Sequence, residues 1–499
     1  MGEDRNRASF VEYGIEDRPP LFESVLLGLQ HYLTMVGANI AVPLILAGAM
    51  GMPADVTARF VGTFFVVSGV ATLAQTTLGN RYPIVQGAPF SMLAPALAII
   101  AVVGTIPGEP GWQTDLVYLQ GAIIVAAFVQ IFIGYFGLIG RLRRFLSPVV
   151  IAPTIALIGL ALFDAPQITA ANQDWLLLGL TVGLIVLFSQ YLKTRSRAFQ
   201  LFPVILGIAI AWVLAAVLSV AGFYTPDSPG YVALGQVAAA PALMPIYPFQ
   251  WGLPRFELAL AIGMVAGVLA SIVESFGDYQ AVARLTGAGA PSEKRINHGI
   301  GMEGLMNVFS GVMGTGGSTS YSENIGAIGL TGVASRYVVQ VGAAIMLVVG
   351  FVGYFGQLVA TIPDPIVGGL FVAMFGQIVA VGISTLKHVD LDSQRNVFVV
   401  GFALFVGLAI PQYMANFESA AAFRELAAGV SPLLGSPLVA DTVFVIGGTG
   451  MAVGGLVALV LDNTIPGTRR ERGLEQWDER TEDDSEFHSA WERFRETAD

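Results

Sequence analysis

Residues 318–326, STSYSENIG, form a polar stretch inside an otherwise apolar region of the chain. A second unusual stretch, residues 81–92 (RYPIVQGAPFSM), has prolines and a glycine where an apolar helix should be continuous. The surrounding 499-residue chain is 54% hydrophobic and only 12% charged, with a mean hydropathy of +0.69. Soluble domains carry about 25% charged residues. The composition therefore excludes a soluble fold and predicts an all-α polytopic membrane protein.

The apolar stretches predict about fourteen transmembrane segments, since a helical crossing needs about 20 apolar residues. They cover residues 22–48, 57–80, 83–103, 116–139, 146–163, 174–192, 200–221, 256–284, 296–313, 319–331, 335–361, 365–385, 394–411 and 438–461. The two unusual stretches interrupt segments 3 and 10, which lie seven segments apart. Because seven is odd, equivalent segments of the two halves run in opposite directions. The sequence thus predicts a 7+7 inverted repeat, in which paired interrupted segments indicate a central substrate site.

Lys and Arg predict the orientation, because cytoplasmic loops are enriched in them. With the N-terminus inside, all but three of the 25 basic residues fall on the inside, the exceptions being Arg59, Arg255 and Arg424. This distribution predicts a multi-pass protein of the cell membrane with both termini cytoplasmic. Most of the net charge of −11 lies in the two tails. No basic nucleic-acid footprint exists, and we expect membrane lipid but no nucleic acid as a partner.

Four ionisable residues inside the predicted segments are candidate functional groups: His31, Glu274, Asp278 and Glu323. A carboxylate at the bilayer centre costs about 2.5–3.5 kcal/mol unless it faces protein or water. Glu274 and Asp278 are four residues apart, so they lie on one helical face and are candidate proton carriers. Structural alternatives stay open: an ion pair for Glu274, a bond to a hydroxyl or backbone group for Asp278, a buried core position for His31, and a helix cap for Glu323.

Several chemistries are disfavoured by what the sequence contains. The absence of cysteine excludes disulfides and thiol nucleophiles. The four histidines lie far apart, so we expect no metal site, and no cofactor is predicted. No nucleophile and base pair is visible, so we expect a protein that is not an enzyme. Four aromatic residues among the charges of the C-terminal tail fit a short amphipathic helix or a solvated tail: Trp477, Phe487, Trp491 and Phe494.

Residues 323–332, ENIGAIGLTG, resemble the signature of the nucleobase-ascorbate transporter family, also called nucleobase:cation symporter-2. The signature is Gln, Glu or Pro, then Asn-x-Gly, four residues, Thr, and Arg, Lys or Gly. Asn324, Gly326, Thr331 and Gly332 fill its later positions. Three further elements resemble the family in the same order: Gln30 with His31, residues 87–91 (GAPFS), and residues 274–279 (ESFGDY).

The resemblance implies a core domain that holds substrate and a gate domain against which the core moves. The implied division is an N-terminal tail 1–21, core 22–140, gate 141–222, an external loop 223–255, core 256–362, gate 363–462 and an acidic tail 463–499. It also implies a homodimer through the gate domains. Carried over by position, Glu274 and Glu323 bind a nucleobase, Asn324 belongs to the site as a signature residue, and backbone amides near Phe90, Tyr321 and Ser322 complete it. Proton coupling falls to His31, Glu274 and Asp278.

The chemistry of these residues agrees with such a substrate. A nucleobase such as uracil has ring N–H donors and carbonyl acceptors on one flat edge, which carboxylates and helix N-terminal amides can match. A proton, or sodium, would relieve the excess negative charge. Glu323 resembles the uracil branch, whereas residues 274–278 resemble purine transporters. We expect uracil or xanthine, with uracil favoured over xanthine or urate and ascorbate least expected. The rival functions are an anion exchanger of the related sulfate and bicarbonate carriers, a membrane enzyme and an ion channel.

Overall fold

The computed structural model describes residues 11–104, 111–142, 145–287, 290–417, 419–475, 487–489 and 492. The outer parts of the two predicted tails, including Trp477, Trp491 and Phe494, lie outside the described residues. Within the described residues the chain is mostly helical.

The helices of the first half begin directly after the N-terminal segment. They are α1 (Leu21–Met50), α2 (Ala54–Thr77), α3 (Leu93–Val103), α4 (Trp112–Tyr135), α5 (Ile139–Leu142), α6 (Pro148–Leu160), α7 (Pro166–Thr169), α8 (Trp175–Val186, continued by a π-helix Leu187–Tyr191), α9 (Arg197–Leu201) and α10 (Pro203–Val220). The second half contains α11 (Leu234–Ala238), α12 (Leu258–Thr286), α13 (Glu293–Met313), α14 (Ser322–Thr331), α15 (Arg336–Phe351), α16 (Gly353–Ala360), α17 (Asp364–Thr385, continued by a 3-10 turn Leu386–His388), α18 (Gln394–Met414), α19 (Ala420–Val430), α20 (Pro437–Gly447) and α21 (Gly450–Thr464).

Helices occupy all of the predicted apolar stretches, but they differ in length. Within the described part of the chain, seven helices are long and apolar enough to cross a membrane: α1, α2, α4, α10, α12, α17 with its 3-10 turn, and α18. The pair α20 and α21 gives an eighth span if its two helices are counted together. The fold is therefore that of a multi-pass membrane protein, while the total of fourteen crossings stays a prediction.

Two segments expected to be single helices are divided. Helices α15 and α16 meet at Val352, where the loop between α11 and α12 pairs with the chain: Met244 N–H donates to the Phe351 carbonyl at 2.8 Å, and Gly353 N–H donates to the Ala242 carbonyl at 3.2 Å. These bonds replace helical ones. Helices α20 and α21 are bent by 94° at a break that contains Gly448 and Thr449. The division between α15 and α16 is therefore set by Ala242 and Met244 of the loop. The sequence pattern does not predict this contact.

The two interrupted segments meet in a short antiparallel sheet, so the prediction of an all-α protein needs correction at these four residues. Strand β1 (Gln86–Gly87) pairs with β2 (Thr319–Ser320), with Gln86 opposite Ser320 and Gly87 opposite Thr319. Proline on both sides of β1 prevents a continuous helix. The pairing gives these buried backbone groups hydrogen-bond partners.

Neighbouring helices fix the backbone around β1. The Gln86 N–H donates to the Thr72 hydroxyl at 2.9 Å, and the Ala88 N–H donates to Asn39 Oδ1 at 2.9 Å. The Tyr321 hydroxyl donates to the Ala88 carbonyl at 2.9 Å. Its ring lies so close to Gly87 that a Cβ there would come within 2.5 Å of Tyr321 Cζ. Only glycine fits at position 87, which explains the break in the apolar pattern.

Candidate functional site

A central cavity of about 560 Å³ lies where β1 and β2 lead into α3 and α14. It extends from Glu274 in the middle of α12 to a mouth at Arg284, Thr385 and His388, near the ends of α12 and α17. Its opposite wall comes from α6 and α17, where aliphatic side chains lie beside Gln377. Among the side chains that line it are Phe90, Glu274, Asp278, Tyr321, Ser322 and Glu323. All six were predicted as site residues, and the fold brings them together from three distant stretches of sequence.

The N-terminus of α14 lines this cavity, and that of α3 lies next to the lining residue Phe90. Helix α3 follows Phe90 by a short turn, and α14 begins at Ser322. No side chain caps either helix at its N-cap residue, Met92 or Tyr321. The first amides of a helix have no intrahelical acceptor and carry a partial positive charge. The start of α14, where Ser322 and Glu323 line the cavity, can therefore donate hydrogen bonds to carbonyl or anionic groups of a ligand. At the start of α3 the Leu93 N–H already donates to the Phe90 carbonyl at 3.1 Å.

Glu274 has a free acceptor directed into the protein. Its Oε2 is buried, and it has no hydrogen-bond partner among the described residues. The alternative of an ion pair with Arg284 is not realised, since the ion pairs of the described residues do not include these two side chains. A buried oxygen without a partner is unusual in proteins. Glu274 thus has the capacity to accept a hydrogen bond from a ligand or to hold a proton.

Asp278 is tied to the second interrupted segment. The hydroxyls of Ser320 and Ser322 donate to its two carboxylate oxygens, each at 2.6 Å. The structural alternative, in which Asp278 bonds neighbouring hydroxyls, is therefore realised. Because Ser322 is the first residue of α14, Asp278 also holds the start of that helix at the cavity. Its carboxylate lies one helical turn from Glu274 on the same face of α12.

Glu323 lies in the first turn of α14 and faces two spaces. It lines the central cavity and also a lateral cavity of about 210 Å³ between α1, α10, α14 and α17. The signature glycine Gly326 lines the same lateral cavity, and a Cβ built there would meet no heavy atom within 4 Å. Position 326 is therefore open rather than packed.

The two aromatic site residues differ in their freedom. Phe90 lines the central cavity and packs edge to face against Phe375 of α17, with ring centroids 6.2 Å apart. Tyr321 is held by its hydroxyl bond to Ala88, and its N–H donates to the Val85 carbonyl at 3.0 Å. Phe90 can contact a ligand ring, while Tyr321 mainly fixes the two strands.

His31, Asn324, Thr331 and Gly332, also predicted as functional residues, do not line the central cavity. Asn324 is fully buried, and its side-chain amide donates to the His31 carbonyl at 2.8 Å, which joins α14 to α1. His31 is 2% exposed, and its ring nitrogens have no hydrogen-bond partner among the described residues. Thr331 accepts a hydrogen bond from Val333 N–H at 3.1 Å. These signature residues therefore stabilise the position of α14.

Gly332 ends α14 in a left-handed conformation, with φ of +71°. Its carbonyl accepts hydrogen bonds from the N–H groups of Glu12 and Tyr13. In the same region, Glu16 pairs with Arg81 at 2.9 Å and with Arg336 at 2.5 Å. The N-terminal segment therefore holds the end of α14 against the start of the first interrupted segment. Glycine suits position 332 because φ is positive there.

Glu303 of α13 is a site residue that the sequence prediction missed. It is 1% exposed and accepts hydrogen bonds from the Ser275 hydroxyl at 2.7 Å, the Ser320 N–H at 2.9 Å and Gln130 Nε2 at 3.1 Å. It lies behind the cavity and holds β2 against α12 and α4. The signal was present, because residue 303 is a carboxylate inside the predicted segment 296–313.

No group of three or more His, Asp or Glu side chains in the described stretches of the chain is arranged to hold a metal ion. The side chains that line the central cavity include hydrogen-bonding and charged groups. Carboxylates supply acceptors, the start of α14 supplies donors, and α6 with α17 supplies most of the apolar surface.

Comparison with known proteins gives matches over most of the chain. The sequence model described as the Permease family matches residues 22–416. Solute carrier family 23 member 2 of Homo sapiens is 41% identical over 517 aligned residues, which cover 95% of this chain and 77% of that protein. Nucleobase-ascorbate transporter 2 of Arabidopsis thaliana is 35% identical, over 94% of this chain and 91% of that protein.

Solved structures of membrane transporters share the fold. The transmembrane domain of the cyanobacterium bicarbonate transporter BicA aligns with a TM-score of 0.58 at 16% identity, covering 80% of this chain and 98% of that chain. The structure of SLC26A9 aligns with a TM-score of 0.54 at 12% identity, covering 78% and 63%. At such identities the similarity concerns the fold alone.

Proposed function

This chain belongs to the Permease family of nucleobase-ascorbate transporters, whose members are transporters and not enzymes, and we propose that it imports a nucleobase, uracil or xanthine, by cation symport. The observation that carries this proposal is the position of Glu274 and Glu323. The two carboxylates come from different helices, line one central cavity, and lie beside the uncapped start of α14.

The donors and acceptors of the cavity are complementary to a nucleobase edge. Uracil and xanthine present ring N–H groups, which can donate hydrogen bonds to the carboxylate oxygens of Glu274 and Glu323. Their carbonyl oxygens can accept hydrogen bonds from the amides at the start of α14. Phe90 supplies an apolar ring surface for the flat face of the base. Recognition would thus combine a polar edge with an apolar face.

Cation coupling follows from the charge of the site. Glu274, Asp278 and Glu323 line one cavity with largely apolar walls, and like charges in such surroundings repel strongly. A neutral base brings no positive charge, so a cation must compensate. We assign this role to a proton on Glu274, whose Oε2 has no partner among the described residues. Asp278 and His31 are the further candidates, and sodium is the alternative cation.

Alternating access would move the proposed core domain, segments 1–4 and 8–11, against the gate domain, segments 5–7 and 12–14. In the proposed orientation, with both termini cytoplasmic, the mouth at Thr385 and His388 opens toward the cytoplasm. The fourteen-segment inverted repeat and a homodimer through the gate domains belong to the same proposal. Phe398, Phe402 and Phe405 form an exposed row on α18 that such a dimer or lipid would cover.

The anion exchanger remains the rival because the fold resembles that of a bicarbonate transporter. It is disfavoured by the charge of the cavity, where three carboxylates would repel an anion. Exchange of chloride or bicarbonate, without accumulation of a base, would favour the rival.

Uptake of radiolabelled substrate into cells lacking their own carriers tests the proposal. We expect accumulation of uracil or xanthine, with urate and ascorbate as comparison substrates in the same assay. Glu274→Gln and Glu323→Gln should each lower uptake at least tenfold, which corresponds to about 1.4 kcal/mol. Glu257→Gln is the matched control, since Glu257 is exposed just before α12. Equal uptake by the site variants and the control would contradict the proposal.

A further inference from the structure

A second large cavity lies between the proposed core and gate domains, at the end of the protein opposite the mouth of the central cavity. Its volume is about 550 Å³. The end of α1 and the first half of α3 line it from the core, and α7, the start of α17 and the end of α18 line it from the gate. In the proposed orientation this end faces outward, so we call it the external cavity. Its polar lining side chains are Asp164, Gln167, Asp364 and Gln412.

Only a thin layer of protein separates the external cavity from the central cavity. Among the described residues the two cavities share no lining residue. On the core side, Phe90 lines the central cavity, and Ala94 lines the external cavity. On the gate side, the same change occurs on α6 between Ile158 and Ala161. Three residues of helix span only about 5 Å.

The layer between the cavities contains three aromatic rings. Helix α17 passes through it, since Asp364 lines the external cavity and Gln377 lines the central one. Between them, Phe371 and Phe375 are 0% and 5% exposed, with ring centroids 5.4 Å apart. The Phe375 ring then meets Phe90 edge to face, at a centroid distance of 6.2 Å. Two rings of the gate and one ring of the core thus lie in series between the two cavities.

Backbone packing fixes the gate side of this layer. A Cβ at Gly159 of α6 would come within 2.5 Å of the Phe375 carbonyl oxygen. One helical turn or two further along, a Cβ at Gly382 of α17 would come within 2.5 Å of the Ala156 nitrogen of α6. The two gate helices are therefore packed closely at the depth of Phe375. The contact of Phe375 with Phe90, by contrast, joins the gate to the core and is made by side chains.

We propose that Phe90, Phe371 and Phe375 form the barrier that closes the central cavity from the external cavity in this arrangement, and that the external cavity is the entry chamber for the base. The inference rests on the proposed function, because it assumes that a base passes between the two cavities. Phe90 then has two roles. It offers an apolar surface to a base in the central cavity, and it supplies the core side of the barrier.

Aromatic rings suit a barrier that must close and open repeatedly. A narrow apolar layer excludes water and polar solutes while it is closed. Ring contacts of this kind are made by dispersion and by the ring quadrupoles, so no hydrogen bond has to break when the rings separate. A movement of the core against the gate that separates Phe90 from Phe375 would therefore open the path to the external cavity.

Accessibility of a single thiol from each side of the membrane tests the barrier, since the natural chain has no cysteine. Gly277 lines the central cavity, and a Cβ there meets no heavy atom within 4 Å, so Gly277→Cys provides the reporter. The full-length protein is labelled with a small, membrane-impermeant methanethiosulfonate reagent, without substrate, in intact cells and in inside-out vesicles. We expect slow labelling from outside and fast labelling from the cytoplasmic side.

Phe375→Ala in the same background should raise the external labelling rate about tenfold or more, because loss of a buried ring leaves a gap in the layer. The cytoplasmic rate should stay unchanged. Should this variant fail to fold, Phe375→Leu removes less of the ring, and we expect it to raise the external rate about two- to threefold. Phe128→Ala is the matched control, since Phe128 of α4 is 58% exposed and lines neither cavity.

Two results would overturn the barrier. The first is an external rate in the Phe375 variants equal to that of Phe128→Ala. The second is a rise of the external rate with a matching fall of the cytoplasmic rate, because that pattern means a shift between two arrangements of the domains rather than an opened layer. Labelling uses no base, so absence of uptake together with the predicted labelling would count against the proposed function alone.

Discussion

Replacing Glu303 by glutamine removes one acceptor from a buried network whose hydrogen-bond directions are fixed. The Ser318 N–H donates to Asn307 Oδ1 at 2.6 Å, so the Asn307 amide must donate to Gln130 Oε1, at 2.8 Å. Gln130 then donates its own amide to Glu303 at 3.1 Å. From the other side, the Ser320 N–H also donates to Glu303. In either orientation of a glutamine at position 303, its NH2 group would face a neighbouring donor, either the Ser320 N–H or the Gln130 amide. That donor would then have no acceptor.

The magnitude follows from that mismatch. A buried donor left without an acceptor costs about 1–3 kcal/mol, and hydrogen bonds to a charged group are stronger than neutral ones. We expect Glu303→Gln to lower the free energy of unfolding by about 2–3 kcal/mol. Because Ser320 belongs to β2, next to the cavity, apparent substrate affinity should fall about tenfold, which corresponds to 1.4 kcal/mol.

The assay compares thermal unfolding in detergent and the concentration dependence of uptake. Glu293→Gln is the matched control, because Glu293 begins the same helix and its side chain is exposed. If Glu303→Gln equals Glu293→Gln in both measurements, the network does not position β2 and this reasoning is refuted.

Three further predictions concern other parts of the fold. Gly87→Ala should abolish uptake, because its Cβ would meet the ring of Tyr321. Gly326→Ala should leave thermal unfolding unchanged, because a Cβ there meets no heavy atom within 4 Å. Equal effects of the two variants on uptake and on thermal unfolding would contradict the packing described. Asp462→Asn should destabilise the protein by about 3–5 kcal/mol in thermal unfolding, since two arginines would lose a buried anionic partner. Burial and the hydrogen bond to Asp174 raise the pKa of Tyr224 to about 12. The hydrogen bond from Tyr224 to Asp174 is therefore present below pH 10 and is lost as pH rises through 12. Asp174→Asn should lower the pKa of Tyr224 measured by ultraviolet titration.

The sequence was sufficient to predict the class of fold and to single out the three carboxylates that line the central cavity. Charges are so few in the apolar segments that Glu274, Asp278 and Glu323 stand out, and the structure brings all three to one cavity. The same search would have found Glu303, which lies inside a predicted segment. Its role depends on contacts with α4, α12 and β2, which no local pattern reveals.

The features of the fold and site that the sequence did not predict depend on interactions between residues far apart in the chain. Each strand of the central sheet is two residues long, so its register is set by Thr72, Asn39 and Tyr321 rather than by alternation. The division at Val352 depends on bonds to a loop more than 100 residues earlier in the chain. The family signature likewise identifies Asn324 but does not show where its side chain points. In the structure its side-chain amide donates to the His31 carbonyl of α1 instead of lining the cavity.

Concentrative uptake into proteoliposomes tests the central claim most directly. The purified protein is reconstituted, an inward proton gradient is imposed, and labelled uracil or xanthine is followed with and without a proton ionophore. We predict accumulation above the external concentration, its loss with the ionophore, and its loss in Glu274→Gln but not in Glu257→Gln. Full gradient-driven accumulation by Glu274→Gln, or no accumulation of either base by the native protein, would contradict the account.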